Sequence, residues 1–273
     1  MNDLLRELAP ISSAAWGEIE EEAKRTLKMM LAARKLVDFT GPLGWEASAV
    51  SRGRTTAVQA ADAGITLRQR TVEPLLEVRV PFELDRDELE AVGRGARDPD
   101  LDPVREAARK AAMLEDRAVF HGYPHAGIRG IAEAATADTL TLTEDYTAYP
   151  GVVADAINQL HHAGIGGPYA IALGPRCYTG LTRTTKGGFP VIEHVRKLVG
   201  GPLVWAPALD GAAVLTQRGD DFELIVGQDF SIGYLEHTQH SVRLYLQESF
   251  TFRVLSPEAV IPLAYDAKPA PGR

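Results

Sequence analysis

Apolar residues recur at helical spacing between Ala14 and Lys35, where Trp16, Ile19, Ala23, Leu27, Met30 and Leu31 share one stripe. Ser12 and Ser13 stand where N-caps belong. The pattern predicts an amphipathic helix of about 22 residues, roughly 33 Å long. Its stripe must pack on its own domain, on a neighbour or beside a bound peptide. From Leu76 to Leu84 the period changes to two: Leu76, Val78, Val80, Phe82 and Leu84 face one way, Glu77, Arg79, Pro81 and Glu83 the other. That predicts a half-buried strand with Pro81 at an edge or bulge.

The same alternation returns with Val242, Leu244, Leu246, Phe250, Phe252 and Val254 on one face. Tyr169–Leu173 reads as a buried strand closed by Gly174-Pro175, and Ala212–Val226 as a hairpin around Arg218-Gly219-Asp220-Asp221. Asp102-Pro103 opens an alanine-rich helix that ends at His121-Gly122, and further helices are expected over Val152–Ala163 and Val191–Val199. Val50–Thr66 is small and polar. At about 17 residues it exceeds most loops in compact domains, which makes it either disordered or an outward-reaching arm. Ala267–Arg273 reads as a disordered tail. Strands and helices mix without regular βαβ alternation and without an internal repeat, so the fold class is α+β.

Charge and cysteine content narrow the function. The 273 residues carry 29 basic and 37 acidic side chains, a net charge of −8. Nonspecific nucleic-acid binding needs clustered cations to displace phosphate counterions, and no basic run is present, so no nucleic-acid partner is expected. Cys177 is the single cysteine, which rules out an internal disulfide and fits a reduced compartment. The first residues carry acids and no apolar core, and no segment approaches the ~20 apolar residues of a membrane span. The expectation is a soluble, cytoplasmic protein without a membrane partner.

Catalytic grammar is thin. Glu115 and Asp116 lie near His121 and His125, but the helical spacing pairs neither acid with a histidine, and a structural or solvated role is the reading. His161 and His162 face different directions on a helix. Gly164–Pro168 and Gly187-Gly188 lack the features of dinucleotide or phosphate loops and read as turns. Cys177 reads as buried and inert. Lys186 is either solvent-exposed or lines an opening in an assembly. The densest stretch is Gly227-Gln228-Asp229-Phe230-Ser231-Ile232-Gly233-Tyr234, with Glu248–Val254 after it, and it holds no nucleophile, base or metal spacing.

Taken with Leu8-Ala9-Pro10, Ala33-Arg34-Lys35, Gly41-Pro42, Ala118–Gly122, Gly127–Gly130 and Gly167-Pro168-Tyr169, those blocks resemble the family 1 encapsulin nanocompartment shell proteins (linocin-like) over nearly the whole chain. The resemblance implies the tailed-phage major capsid fold of Hong Kong 97 type. The expected parts are an N-terminal helical arm (1–45), an extended loop (46–75), a peripheral domain (76–135 and 220–266), an axial domain (136–219) and the tail (267–273). It implies sixty copies in an icosahedral nanocompartment and a cargo enzyme, such as a ferritin-like protein or a dye-decolourising peroxidase, serving iron storage or oxidative-stress defence. The shell itself would not be an enzyme.

By matching position, the cargo's C-terminal peptide would bind Leu27, Met30, Leu31, Arg34, Asp38, Asp229, Ile232 and Tyr234. The residues alone also allow Leu27, Met30 and Leu31 to be internal packing, and Arg34 with Asp38 to be an i, i+4 pair. Thr184–Pro190 matches the five-fold pore loop, with Thr185, Lys186, Gly187, Gly188 and Phe189 at its tip. Some members stack a flavin on an aromatic residue after the Leu76–Leu84 strand. Here Arg86-Asp87 stands there, with Asp87 in the key place, so no cofactor is expected by that mode. The alternatives are a phage or prophage capsid protein that packages DNA, and a stand-alone hydrolase.

Overall fold

Ser12 does cap the first helix: its hydroxyl accepts from the Ala15 N–H at 3.2 Å, and α1 runs Ser13–Met30 in this computed structural model, which describes residues 4–60 and 62–265. The stripe of Ala15, Ile19, Ala23, Leu27 and Met30 is buried. The helix stops five residues short of Lys35. Leu31 turns extended, and Ala33–Lys35 form a 3-10 turn. The cause lies far along the chain, where the Asp116 carboxylate accepts the N–H groups of Ala32 at 2.9 Å and Ala33 at 3.0 Å. Those bonds satisfy amides that a continuing helix would have turned inward.

After β1 (Asp38–Thr40) the polar stretch takes the second of its two readings, the outward-reaching arm. β2 (Ala49–Val58) and β3 (Leu67–Pro74) pair antiparallel as an exposed two-stranded arm. β-Branched Thr55, Thr56 and Val58 suit that pairing. β4 (Leu76–Asp85) follows and pairs with a single strand, so it lies at a sheet edge; Pro81, which cannot donate, sits opposite Tyr245. α2 (Arg86–Gly93) and the long α3 (Asp102–His121) come next, and α1 packs along α3.

The chain then builds a second sheet. After α4 (Ile131–Ala134) come β5 (Leu140–Leu142), α5 (Tyr149–His162), β6 (Tyr169–Leu173), α6 (Pro175–Arg183) and the short strands β7 (Thr185–Lys186) and β8 (Phe189–Pro190). α7 (Val191–Val199), β9 (Gly200–Trp205) and β10 (Ala212–Thr216) complete it, with β14 (Val260–Tyr265) returning last in the order β5-β14-β10-β6-β9. β6 is buried at every position, as its unbroken apolar run predicts.

Ala212–Val226 is not a hairpin. β10 belongs to the second sheet, whereas β11 (Phe222–Val226) pairs with β1 and β13 in the first. The turn between them is tied down on the way across. Arg218 donates to both oxygens of Asp221 at 2.9 and 2.7 Å, Asp38 accepts the Asp220 N–H at 2.6 Å, and Gln217 donates to the Leu36 carbonyl. Gly219, at φ +88°, supplies the left-handed step.

The first sheet is completed by β12 (Ser231–His237) and β13 (Ser241–Val254), in the order β1-β11-β13-β12 with β4 on the far side of β13. β13 is therefore central, and it is buried on both faces rather than on the single face that alternation suggested: Tyr245, Gln247, Ser249 and Thr251 are covered as well as Leu244, Leu246, Phe250 and Phe252. Gly233 lets the Tyr245 ring lie against β12, since a Cβ there would meet it at 2.2 Å. One apolar core fills the space between α1, α2, α3 and this sheet; the other surrounds the second sheet. The chain is α+β, as expected. The tail Ala267–Arg273 lies outside the described residues.

Candidate docking groove

A groove of about 590 Å³ runs between α1 and the start of β12. Ala23, Leu27 and Leu31 form one wall; Phe230, Ile232 and Leu246 form the other, with Ser231 between them. Helical spacing delivers the first wall and the β12–β13 pairing of Ile232 with Leu246 delivers the second. Lys24, Lys28 and Lys35 stand on the rim, and Arg34 and Asp229 also line it.

Arg34 is the centre of that polar region. Its Nε donates to both oxygens of Glu115 at 3.1 and 2.9 Å, Nη2 donates to Glu115 at 2.6 Å and to Glu248, and Nη1 donates to Asp229 at 2.8 Å. The rings of Phe39 and Phe230 lie 5.1 and 4.9 Å from the guanidinium carbon. Burial opposes the charge on Arg34, but the hydrogen bond and field of Glu115, with Glu248 and Asp229, outweigh it and hold the group more firmly protonated than usual. Burial and the neighbouring Glu115 push the Glu248 carboxyl well above the carboxylate range, against the pull of Arg34. Burial also pushes Asp116 up to about 7, despite the amides of Ala33 and Ala32.

Of the residues assigned to a peptide site, the structure brings Leu27, Leu31, Arg34, Asp229 and Ile232 together around one groove. Met30 is buried behind the wall at 5% exposure. Asp38 does not line the groove: it lines an adjoining recess with Arg34, Lys35, Gln217 and Gly219 and holds the Asp220 amide, while the ion pairs of Arg34 go to Glu115, Glu248 and Asp229. Tyr234 lies further along β12, its hydroxyl on His237 Nδ1 at 2.6 Å and its amide donating to the Leu4 carbonyl. Sequence reasoning missed Glu115, Glu248, Phe230 and the rim lysines. The signal for the two glutamates was available, because two acids embedded in apolar helix and strand patterns need a cation.

The other candidates resolve simply. Glu115 and Asp116 are fully buried and occupied by Arg34 and by backbone, which closes them to any substrate. His121 Nε2 meets the Ala208 carbonyl at 3.0 Å, and the described residues hold no cluster suited to a metal ion. Cys177 is buried and takes the Tyr149 hydroxyl at 3.0 Å. The segment at Thr185–Phe189 is a minimal hairpin whose turn, Gly187 and Gly188, has positive φ; Phe189 is 66% exposed, and Lys186 Nζ donates to the Thr147 carbonyl at 3.2 Å. Asp87 sits in the first turn of α2, its amide held by the Asp85 carboxylate. No helix among the described residues is long and apolar enough to cross a membrane.

The Linocin_M18 family, described as "Encapsulating protein for peroxidase", matches residues 1–251. The chain belongs to the encapsulin shell-protein family. It is 57% identical over 270 residues to a Type 1 encapsulin shell protein of Rhodospirillum rubrum, covering 96% of each chain. A Type 1 encapsulin shell protein of Mycobacterium tuberculosis is 46% identical, over 97% of this chain and all of its relative. Among solved structures, the virus-like particle from Pyrococcus furiosus aligns with a TM-score of 0.64 at 17% identity, over 90% of this chain and 98% of that one. The capsid of an empty GTA particle gives 0.55 at 13% identity, over 87% and 90%. These likenesses establish the capsid fold. As an encapsulin, the chain is a structural shell subunit that assembles with copies of itself.

Proposed function

We propose that sixty copies close into an icosahedral compartment and that the groove between α1 and β12 takes up the C-terminal peptide of a cargo enzyme. The observation that carries this reading is the groove: an apolar trough whose polar groups, Arg34 and Asp229 with Arg6, Glu20, Lys24, Lys28 and Lys35, would fix the direction of a bound chain. The family description supports a peroxidase as cargo; a ferritin-like protein is the other cargo class, and the role is oxidative-stress defence or iron storage in the cytoplasm. The exposed hairpin at Thr185–Phe189 would form the rim of a five-fold pore, with Lys186 biasing the passage of small ions.

The test fills the trough without touching the ion cluster. Ser231→Trp places an indole between the walls, and shells should form normally while cargo per shell, measured by quantitative mass spectrometry, falls at least tenfold. Full loading of Ser231→Trp shells would refute the groove as the docking site.

A further inference from the structure

Three carboxylates, Glu115, Glu248 and Asp229, share the single guanidinium of Arg34. That leaves two negative charges beyond what Arg34 neutralises. Glu115 and Glu248 are 0% and 1% exposed, and an oxygen of each accepts from the same Arg34 Nη2, so two buried carboxylates meet on one nitrogen. The charged groups that act on Glu248 are Arg34 on the turn after α1, Glu115 on α3 and Asp229 before β12. On β4, Glu77 and Arg79 pair with each other at 2.9 Å, and Arg79 lies over Tyr245 on the opposite face of β13. Asp229 is the opening of the cluster to the groove. Its side chain is 42% exposed, and its Oδ1 receives both Arg34 and the Phe230 amide, which leaves Oδ2 turned to neither.

We propose that the Glu248 carboxyl is held protonated behind Arg34, and that a lysine or arginine side chain settling on Asp229 expels that proton to solvent. This rests on the reading of the groove as a docking site. The exchange swaps one positive charge for another, so the net charge of the cluster is unchanged while the occupant gains a full carboxylate field. Docking of a cationic peptide is then tighter as pH rises through the titration of Glu248, and weaker in acid. An anionic occupant seated on Lys28 and Lys35 would show the opposite dependence. Lys28 on α1 and Lys35 on the turn after it are exposed to solvent, where their repulsion of the incoming cation is screened.

The experiment uses assembled, cargo-free shells and two amidated hexapeptides of alternating leucine and alanine, one ending in lysine and the other in norleucine. Calorimetry in buffers of different ionisation enthalpy counts protons released per peptide bound. The lysine peptide should release up to one proton and bind up to tenfold more weakly per pH unit of acidification. The norleucine peptide should release none, and Glu248→Gln shells should bind the lysine peptide without proton release. Infrared spectra of empty Asp116→Asn shells at neutral pH, free of the Asp116 carboxyl, should show a protonated carboxyl band that adding Glu248→Gln removes. Binding of the lysine peptide with no proton release, or absence of that band, would overturn the linkage and leave the groove reading intact. Failure of both peptides to bind would overturn both.

Discussion

Replacing Arg34 with methionine removes the single cation that serves two buried acids. Glu115 is fully buried and Glu248 is 1% exposed, and neither has another cationic partner among the described residues. Breaking a buried pair on one side costs about 3–5 kcal/mol, because the remaining charge must stay desolvated or take up a proton. Asp229, half-exposed, adds little. For a chain of this size that corresponds to a melting point roughly 6–20 °C lower. The assay is thermal unfolding of assembled shells at matched protomer concentration, since assembly contributes to apparent stability. The deficit should depend on pH with a definite sign. Burial holds the Glu248 carboxyl above its unfolded value and Arg34 opposes that rise, so without Arg34 the stability linked to Glu248 is greatest below the unfolded value and is lost as pH rises through the folded one. The variant should therefore approach wild type in acid and fall furthest behind at neutral pH. Arg34→Met/Glu115→Met/Glu248→Met, which removes charge on both sides, should recover most of the loss. A drop of less than about 2 °C for Arg34→Met, the scale of an exposed ion pair, would refute the reasoning.

Other changes probe separate parts of the molecule. Gly233→Ala should cost about 1–3 kcal/mol through its collision with the Tyr245 ring, read as a lower melting point, and an unchanged one would contradict the close packing of β12 on that ring. Asp116, pushed up to about 7 by burial, contributes stability that is present in acid and lost as pH rises toward that value; the fall in melting point between about pH 5 and 7 should be shallower in Asp116→Asn. Lys186→Glu should leave assembly unchanged, because the side chain is exposed, and should slow entry of small anions in stopped-flow uptake; unaltered uptake would remove Lys186 from the pore.

How much of this was legible depends on how local the cause is. The α1 stripe, the edge character of Pro81 and the buried run of β6 follow from side-chain periods of a few residues, and the sequence carried them. The early end of α1 did not show, because its cause is Asp116, more than eighty residues away. The same distance hid the true partners of Arg34. An i, i+4 relation to Asp38 was the local reading, yet a 3-10 turn and a buried glutamate on α3 turned the guanidinium the other way. β10 and β11 looked like a hairpin because a polar turn joined two apolar runs; which sheet each joins is decided by pairing with β6, β13 and β14, which a local pattern cannot express. The arm at Ala49–Pro74 was ambiguous for a related reason, since an exposed two-stranded ribbon buries too little to leave a clear apolar period.

This non-locality decides which mutations can report on docking. The polar part of the groove is assembled from the turn after α1, from α3, from the Asp229 turn and from β13, and the same Arg34 bonds hold those four segments together. A change at Arg34 therefore alters the fold and the groove at once. Loss of cargo in an Arg34 variant is uninformative unless its shells melt like wild type. Ser231 is different: it is half-buried, and its hydroxyl donates to the main-chain carbonyl of Asp229 and to no carboxylate or guanidinium of the cluster. Lys28 is exposed on the rim and has no ion pair among the described residues. Substitutions at these two positions change the volume and the rim charge of the trough while leaving the buried pair satisfied. Wild-type melting together with lost cargo at Ser231→Trp would thus assign the defect to docking alone, whereas lost cargo accompanied by a lower melting point would return it to the fold.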